Sequence, residues 1–400
     1  MWNKNFILLL QGGAVSYLGD VLYTAAIGYW ILQKTGSTAV MGIMSSISMF
    51  MVLFVMPFSG SVADKSDRKK LIVAMDARRG VVMLATGLLA YSDRLSVPAV
   101  LAITVIMALC NVFFDPAAST AFIDIIPPQR FIRGQSLKSS VYNMAAITGQ
   151  GISGLVITAI GVPFTIVANG VSFLASAFTE LFITLPPRSV QQGRHTPLAD
   201  MKQGITAVMT TPALKVIVIS CIAINTLSSG SGRMMMAFCL QQGLSVEQYG
   251  AVMSLGSAAA VISGVMLSAV NLKPQTKHRI MSAGFISACL FSCMMCVFTG
   301  FAAVAVLYFV SVLANCLANA ILTAAMMQAM PKDRRGTILG IVSAASTGAQ
   351  AVSTLLYGFM GELLPLSVIY GACNLLALLP MTIQCTNRAV YRLITDNRNK

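Results

Sequence analysis

Charged residues are scarce in this sequence. Only 10% of its 400 residues are charged and 56% are hydrophobic, whereas soluble proteins have about 25% charged residues. A chain of this length would otherwise suggest two or three soluble domains, and the composition excludes that reading. Apolar runs of roughly 20 residues recur along the chain, which is typical of a protein that crosses a lipid bilayer many times.

Residues that carry enzyme or cofactor chemistry are equally few. The two histidines, His195 and His278, lie outside the predicted spans, so a membrane enzyme would lack a cluster of His with acids. No glycine-rich nucleotide-binding loop of the Gly-x4-Gly-Lys-Ser type occurs, which argues against a process driven by ATP hydrolysis. The nine cysteines lie in apolar runs, and no His or acid accompanies them as a metal site would need. We therefore expect no enzyme activity, no cofactor and no metal.

Lys and Arg residues segregate to one side of the predicted membrane. Of the 27, only Lys34, Arg94 and Arg233 fall on the other side. Because basic residues favour the cytoplasmic side, we expect both termini in the cytoplasm of a bacterial cell. The net charge of +14 then reflects topology, and no nucleic-acid partner is expected. This count rests on twelve spans at about 6–33, 39–63, 71–92, 97–123, 138–159, 162–184, 213–239, 247–271, 279–300, 302–328, 337–360 and 364–385.

The second half of the chain repeats landmarks of the first. They recur in order, 202 to 208 residues later: Ser37 and Gly42 as Ser245 and Gly250, Asn111 and Asp115 as Asn315 and Asn319, Arg133 and Gly134 as Arg335 and Gly336, and Pro163 as Pro365. The repeat predicts two six-span halves, residues 1–185 and 213–400, joined by a cytoplasmic linker at 186–212. A twofold repeat without an oligomeric filter motif argues against a channel, and we expect a monomer.

A short charged turn separates the second and third spans. It contains a Gly, an Asp four residues on, a basic residue, and then an Arg followed by a second basic residue. This pattern resembles the loop between spans two and three of the major facilitator superfamily. The resemblance implies an all-α membrane protein with twelve transmembrane helices in two pseudo-symmetric six-helix halves, working as a secondary transporter. The matching residues are Gly60, Asp64, Lys65, Arg68 and Lys69, with Asp67 in place of the family's glycine.

Asp64 is expected to be a conformational latch. It ends a helix, where the helix dipole disfavours an anion. We therefore expect its carboxylate to meet the positive start of span eleven near Gly336. In the resembled family the matching Asp latches the outward-open state in this way, and Arg68 could add a hydrogen bond within the turn. The alternative is a solvated turn that only fixes topology.

Polar residues inside spans concentrate on the first and fourth helices of each half. Such faces are costly against lipid, so we expect them to meet in a wet central cavity. In the resembled family the same four helices line the substrate path. The alternative is hydrogen bonding that only holds the helices together. The cavity candidates are Tyr17, Tyr23, Asn111, Asn225, Arg233, Asn315 and Asn319.

Two acids inside spans are candidates for carrying a coupling proton. Asp20 lies near the middle of span one, where a carboxylate costs about 3 kcal/mol on insertion scales. Asp115 precedes Pro116 in span four, where the helix can bend. A static ion pair between Asp20 and Arg233 is the alternative. Glu180, near the inner end of span six, is interpreted as structural because its side chain can reach the interface.

Span five carries glycines at Gly149, Gly151 and Gly154. This stretch resembles the glycine-rich antiporter motif of the family's drug exporters, although small residues also serve plain helix packing. The turn at 126–134 resembles the branch that includes macrolide and siderophore exporters. The resemblance implies a proton antiporter that exports amphiphilic small molecules by alternating access. The alternative is a proton-coupled uptake symporter of a small solute on the same fold.

Overall fold

A computed structural model describes residues 4–127, 130–185, 205–270, 272–330 and 335–395. These residues form helices and, within the described ranges, no strand. The helices are α1 (Lys4–Thr35), α2 (Thr38–Lys65), α3 (Arg68–Tyr91), α4 (Val97–Ile125), α5 (Phe131–Glu180), α6 (Pro212–Arg233), α7 (Met235–Gln241), α8 (Val246–Ala269), α9 (Pro274–Val297), α10 (Phe301–Ala329), α11 (Arg335–Met360), α12 (Leu366–Thr386) and α13 (Arg388–Thr395), together with a short turn of helix at 205–210.

The helices of the described ranges account for twelve membrane crossings. Ten are long and apolar enough to span a bilayer on their own. One of these, at 133–180, has 48 residues and is long enough for two crossings. Helix α3 is not among the ten, because Asp76, Arg78 and Arg79 add charge within its apolar stretch. The predicted fold class is thereby confirmed.

Gly161 divides α5 into two segments, 131–160 and 162–180. Its φ of 80° and ψ of 165° interrupt the helix, and this region of backbone space is essentially restricted to glycine. Pro163 follows, and its missing N–H makes it suitable for the first turn of a new helix. The chain therefore ends span five and begins span six within a few residues.

The two segments of α5 run in opposite directions along α1. Gly13 of α1 faces Tyr142 in the first segment, and Val21 faces Gly149 further along, so these helices are parallel. In the second segment the order is reversed, because Gly12 faces Ser176 and Gly19 faces Asn169. The first and second segments are therefore antiparallel to each other, as two successive membrane crossings must be.

Polar contacts at the helix ends confirm this alternation within the first half. Asn5 at the start of α1 donates to the carbonyl of Thr184, just beyond α5, at 2.7 Å. Lys34 at the end of α1 pairs with Asp93, just beyond α3, at 3.2 Å. Successive helix ends thus lie on alternate sides of the bundle, as the span count requires.

The chain folds into two compact units. The first comprises Met1–Val190 with Ser245–Ser254, and the second comprises Gln191–Leu244 with Leu255–Lys400. The linker predicted at 186–212 lies mainly outside the described residues, since 186–204 are not described. The proposed boundaries at 185 and 213 therefore stay a prediction.

Close helix packing in the second unit depends on Gly284. A Cβ at this position in α9 would lie 2.8 Å from the carbonyl oxygen of Ala314 and 3.1 Å from the Cβ of Ala318, both in α10. The absent side chain lets the two backbones approach, as small residues do where membrane helices meet. Ser292 of α9 and Ser311 of α10 share a hydrogen bond of 2.9 Å further along the same contact.

We predict that Gly284→Ala will destabilise the protein by about 1–3 kcal/mol, the usual cost of forcing a methyl group into a filled contact. Gly264→Ala is the matched control, because a Cβ there would meet nothing within 4 Å. Thermal unfolding of the purified protein in detergent measures both. Equal melting temperatures for the two variants would contradict the packing described.

Candidate functional site

A polar cavity of about 420 Å³ lies within the second unit. Its walls come from α6, α9, α10, α11 and α12, and the described residues that line it include no Asp, Glu, Lys or Arg. Amide and hydroxyl groups alternate with Phe285, Tyr308 and Met381. Such a lining suits a neutral molecule with both apolar and hydrogen-bonding parts. The amide residues are Asn225, Asn315, Asn319, Asn374, Gln350 and Gln384.

Three of the predicted cavity positions form hydrogen bonds within their own helices. The Nδ2 of Asn225 donates to the Cys221 carbonyl at 2.8 Å, and its Oδ1 accepts from the Ser229 hydroxyl at 2.8 Å. The Nδ2 of Asn319 donates to the Oδ1 of Asn315 at 2.7 Å. These bonds fix the orientation of the amides, so each can present its remaining polar atoms in a defined direction.

The sequence did not indicate three amides of this cavity, namely Gln350, Asn374 and Gln384. Of these, Gln384 is the most buried. Its side chain is fully buried, and neither its Oε1 nor its Nε2 has a hydrogen-bond partner among the described residues. A buried amide without partners costs about 1–3 kcal/mol. It belongs to the cavity wall, so a small movement of that wall would bring its amide within reach of polar groups in the cavity.

The predicted positions of the first unit lie in several environments. Asp20 is half-buried and accepts a hydrogen bond of 3.2 Å from Asn169 of α5. Asp115 is exposed. Tyr17 packs against Tyr142 with ring centroids 5.2 Å apart. Tyr23 is half-buried. The remaining candidate, Arg233, belongs to the second unit and is exposed.

Asn111 belongs to an ionic cluster that the sequence interpretation missed. Arg79 of α3 donates to the Oδ1 of Asn111 at 2.8 Å and forms a salt bridge with Asp76. Glu180 at the end of α5 bonds the hydroxyl of Ser176 at 3.3 Å. Asp76, Arg79 and Glu180 are each at most 4% exposed. Arg79 is thus an interior residue, although its place near the basic turn suggested a purely topological role.

The charged turn contributes two ordered contacts. Asp67 caps α3, since its Oδ1 accepts from the backbone N–H of Lys70 at 3.3 Å, which gives a role to the acid that replaces the family's glycine. Arg68 forms a salt bridge with Asp124 at the end of α4, outside the turn in which we expected it to bond. Lys69 and Glu180 line the same small cavity.

The atoms that would form the proposed latch lie outside the described part of the chain. The backbone shows that α2 ends at Lys65 and that α11 begins at Arg335. The side chains of Asp64 and Lys65 and the surroundings of Gly60 and Gly336 are outside the described part of the chain. The latch therefore stays a prediction.

The glycines of span five lie at helix contacts. A Cβ at Gly149 would lie 3.0 Å from the Cγ1 of Val21 in α1. A Cβ at Gly154 would lie 2.5 Å from the Cα of Glu247, and one at Gly151 would lie 2.8 Å from the Oγ of Ser254. Both of these partners belong to the segment Ser245–Ser254, which is part of the first unit. The glycines thus allow close packing, which was the plainer of the two interpretations.

A family model described as Major Facilitator Superfamily matches residues 9–383 of the chain. Three curated relatives illustrate the similarity. The uncharacterized MFS-type transporter YkuC of Bacillus subtilis is 22% identical over 70% of this chain and 67% of its own length. The multidrug efflux pump Tap of Mycobacterium tuberculosis is 29% identical over 44% of each chain. Macrolide efflux protein A of Streptococcus pyogenes is 20% identical over 53% of each.

The matches to the two efflux proteins span only about half of those proteins. Solved structures cover nearly the whole chain. The nucleoside transporter NupG matches with a TM-score of 0.73 at 11% identity, covering 96% of this chain and 98% of its own. A bacterial homolog of the human lysosomal transporter Spinster matches with a TM-score of 0.71 at 14% identity, covering 99% and 98%. At such identities these likenesses show the fold alone.

We predict that the cavity of the second unit is wet. A cysteine at Asn319, an exposed residue of the cavity wall, should react with a water-soluble thiol reagent in a background lacking the nine native cysteines. A cysteine at Leu376, which is 58% exposed on an apolar helix surface, should react at least about tenfold more slowly, because thiolates form poorly in lipid. Labelling of membrane vesicles followed by mass spectrometry gives both rates, and equal rates would contradict a wet cavity.

Proposed function

The chain belongs to the Major Facilitator Superfamily, and from this membership we propose that it exports neutral, amphiphilic small molecules of the drug or macrolide type in exchange for protons. That it is a multi-pass membrane transporter and not an enzyme follows from the family. The substrate class, the direction and the coupling are the proposed parts. We further propose that it functions in the bacterial cell membrane with both termini in the cytoplasm.

The observation that carries this proposal is the uncharged cavity of the second unit. A site for a sugar phosphate, a carboxylate or a polyamine would need a compensating charge, because a buried unpaired ion is far more costly than a buried dipole. None of the described residues on the cavity wall is charged, while four Asn, two Gln and several Ser residues lie there. Phe285, Tyr308 and Met381 offer apolar contacts beside them. The lining therefore favours neutral amphiphiles.

Two further observations support the export direction and the proton. The multidrug efflux pump and the macrolide efflux protein are both named for export. Acids that could carry a proton occur inside the first unit, with Asp20 bonded to Asn169. Asp20 and Asp115 are the proton carriers that we proposed from the sequence.

We predict that cells expressing the protein will lose a subset of neutral or weakly basic dyes and macrolides faster than cells without it. A protonophore should abolish the difference. Fluorescence of preloaded cells measures the rate directly. Faster accumulation of the dye in expressing cells would contradict export and indicate uptake. Efflux that the protonophore leaves unchanged would contradict proton coupling.

A cavity variant tests whether the substrate enters the second unit. Gln384→Met keeps a similar volume and removes the unpartnered amide, so stability should change little. Efflux of substrates with several hydrogen-bonding groups should fall by about tenfold, which corresponds to one lost hydrogen bond of about 1.4 kcal/mol. Leu379→Met, on the outer surface of the same helix, is the control and should leave efflux unchanged. Equal efflux by both variants would remove Gln384 from the substrate site.

A further inference from the structure

We infer that the buried carboxyl pair of Asp76 and Glu180, which lies beside the single guanidinium of Arg79, binds one exchangeable proton inside the first unit. This inference rests on the proposed proton coupling and deepens it, because it names a proton site other than Asp20 and Asp115. It follows from the geometry of three buried side chains on α3 and on the second segment of α5.

The three ionisable groups are held close together by tight helix packing. A Cβ at Gly170 of α5 would lie 2.9 Å from the backbone nitrogen of Leu84 in α3, so the two helix backbones are in direct contact. Asp76 and Glu180 are each 1% exposed to solvent, and Arg79 is 4% exposed. The guanidinium carbon of Arg79 lies 4.0 Å from the ring centre of Phe114 and 4.8 Å from that of Phe173. The cluster is thus enclosed by apolar rings as well as by helix backbone.

Counting charges shows that one proton is needed. With both carboxyls ionised, the cluster has two negative charges against one positive charge. An uncompensated buried ion costs several kcal/mol, so the cluster is far more stable with one carboxyl neutral. Other titratable or charged groups face the cluster from the elements around it. They are Asp20 on α1, Lys69 and Arg78 on α3, Cys110 and Asp115 on α4, and Lys138 and Tyr142 on α5.

The basic members of that group do not supply the missing charge. Lys138 interacts with Asp115 and lies over the rings of Phe122 and Tyr142 at 4.7 and 5.7 Å. Arg78 is exposed. Lys69 lines a small cavity with Glu180, but among the salt bridges of the described residues none joins it to either carboxyl. Arg79 therefore remains the cation of the cluster, in direct contact with Asp76.

Counting hydrogen bonds assigns the proton to Glu180. Arg79 bonds the Oδ1 of Asp76 through Nη2, so Asp76 is the ionised member. The hydroxyl of Ser176 neighbours both carboxyls but has a single hydrogen to donate. Neither the Oε2 of Glu180 nor the Oδ2 of Asp76 has a partner among the described residues. The two carboxyls therefore differ in the bond to Arg79, which is made by Asp76. A neutral carboxyl tolerates that environment far better than a carboxylate, which needs two or three donors.

Release of this proton requires a structural change. The ionised pair would be stable only with water admitted to the cluster, and both carboxyls are only 1% exposed in the present arrangement. Proton occupancy is thereby linked to the separation of these two helices. A transporter that cycles between two states can use such a link to exchange a proton in one of them.

A carbodiimide labelling experiment tests the assignment on the purified, full-length protein. Dicyclohexylcarbodiimide partitions into apolar sites and converts a protonated carboxyl to a stable N-acylurea, which peptide mass spectrometry locates. At pH 7 we expect label on Glu180 and none on Asp76. Absence of label from both residues would overturn the inference.

Single substitutions separate a shared proton from simple burial. In Asp76→Asn, Glu180 becomes the sole carboxyl beside Arg79 and should ionise, so its labelling at pH 7 should fall at least about tenfold. In Glu180→Gln, Asp76 should stay unlabelled. Unchanged labelling of Glu180 in Asp76→Asn would show that burial alone keeps it neutral, and would contradict the shared site. Ser172→Ala, about two turns before Glu180 on the same helix, is the matched control and should label as the unmodified protein does.

The result is distinguishable from a failure of the proposed function. If efflux is insensitive to a protonophore while Glu180 is labelled and the label depends on Asp76, the proton site stands and proton-driven export fails. If efflux depends on the proton gradient while Glu180 is unreactive, export stands and the proton is carried elsewhere. Elution of each variant as a single symmetric peak confirms that it is folded before labelling.

Discussion

The salt bridge between Arg79 and Asp76 is the interaction on which the first unit depends most. It places a guanidinium inside a bundle of apolar helices, where an unpaired ion would be prohibitively costly. Three helices converge on the ion to compensate it. Asp76 comes from α3 itself, Asn111 and Phe114 come from α4, and Phe173 comes from α5. The small residues of α3 and α5 then allow these two helices to pack closely around it.

The two units accommodate buried polar side chains in different ways. The first concentrates charge in one enclosed cluster, where carboxyls outnumber the guanidinium. The second has a cavity of uncharged amides and hydroxyls, several of which bond within their own helices, such as Asn225 and Asn319. Charge suits a proton, and neutral hydrogen-bonding groups suit an amphiphilic solute. We therefore propose that the first unit handles the coupling ion and that the second contributes to substrate binding.

The fold could be read from the sequence because the bilayer imposes simple rules. Span length, the segregation of Lys and Arg, and the repeat of about 200 residues depend on few residues at a time. The polar faces of α6 and α10 were also predictable, because Asn225, Asn315 and Asn319 stand out in apolar surroundings. The structure brings all three to one cavity.

The ionic cluster of Asp76, Arg79 and Glu180 could not be predicted from the sequence in the same way. Arg79 follows a basic turn, so its charge was assigned to topology, and Glu180 lies near a helix end, where it could reach water. Only the tertiary packing of α3 against α5 shows that both are enclosed. The spacing of Asp76 and Arg79, three residues apart on one helix face, was the signal available. Gln384 was equally hidden, because one amide in α12 has meaning only once its neighbours in space are known.

Proton movement in reconstituted vesicles tests the central claim most directly. The protein would be placed in liposomes that contain a pH-sensitive dye and an acidic lumen, and a transported substrate would be added outside. Antiport predicts that the luminal pH rises as the substrate enters, and that Glu180→Gln abolishes this rise while Leu379→Met retains it. Substrate entry without any change in luminal pH would contradict the account.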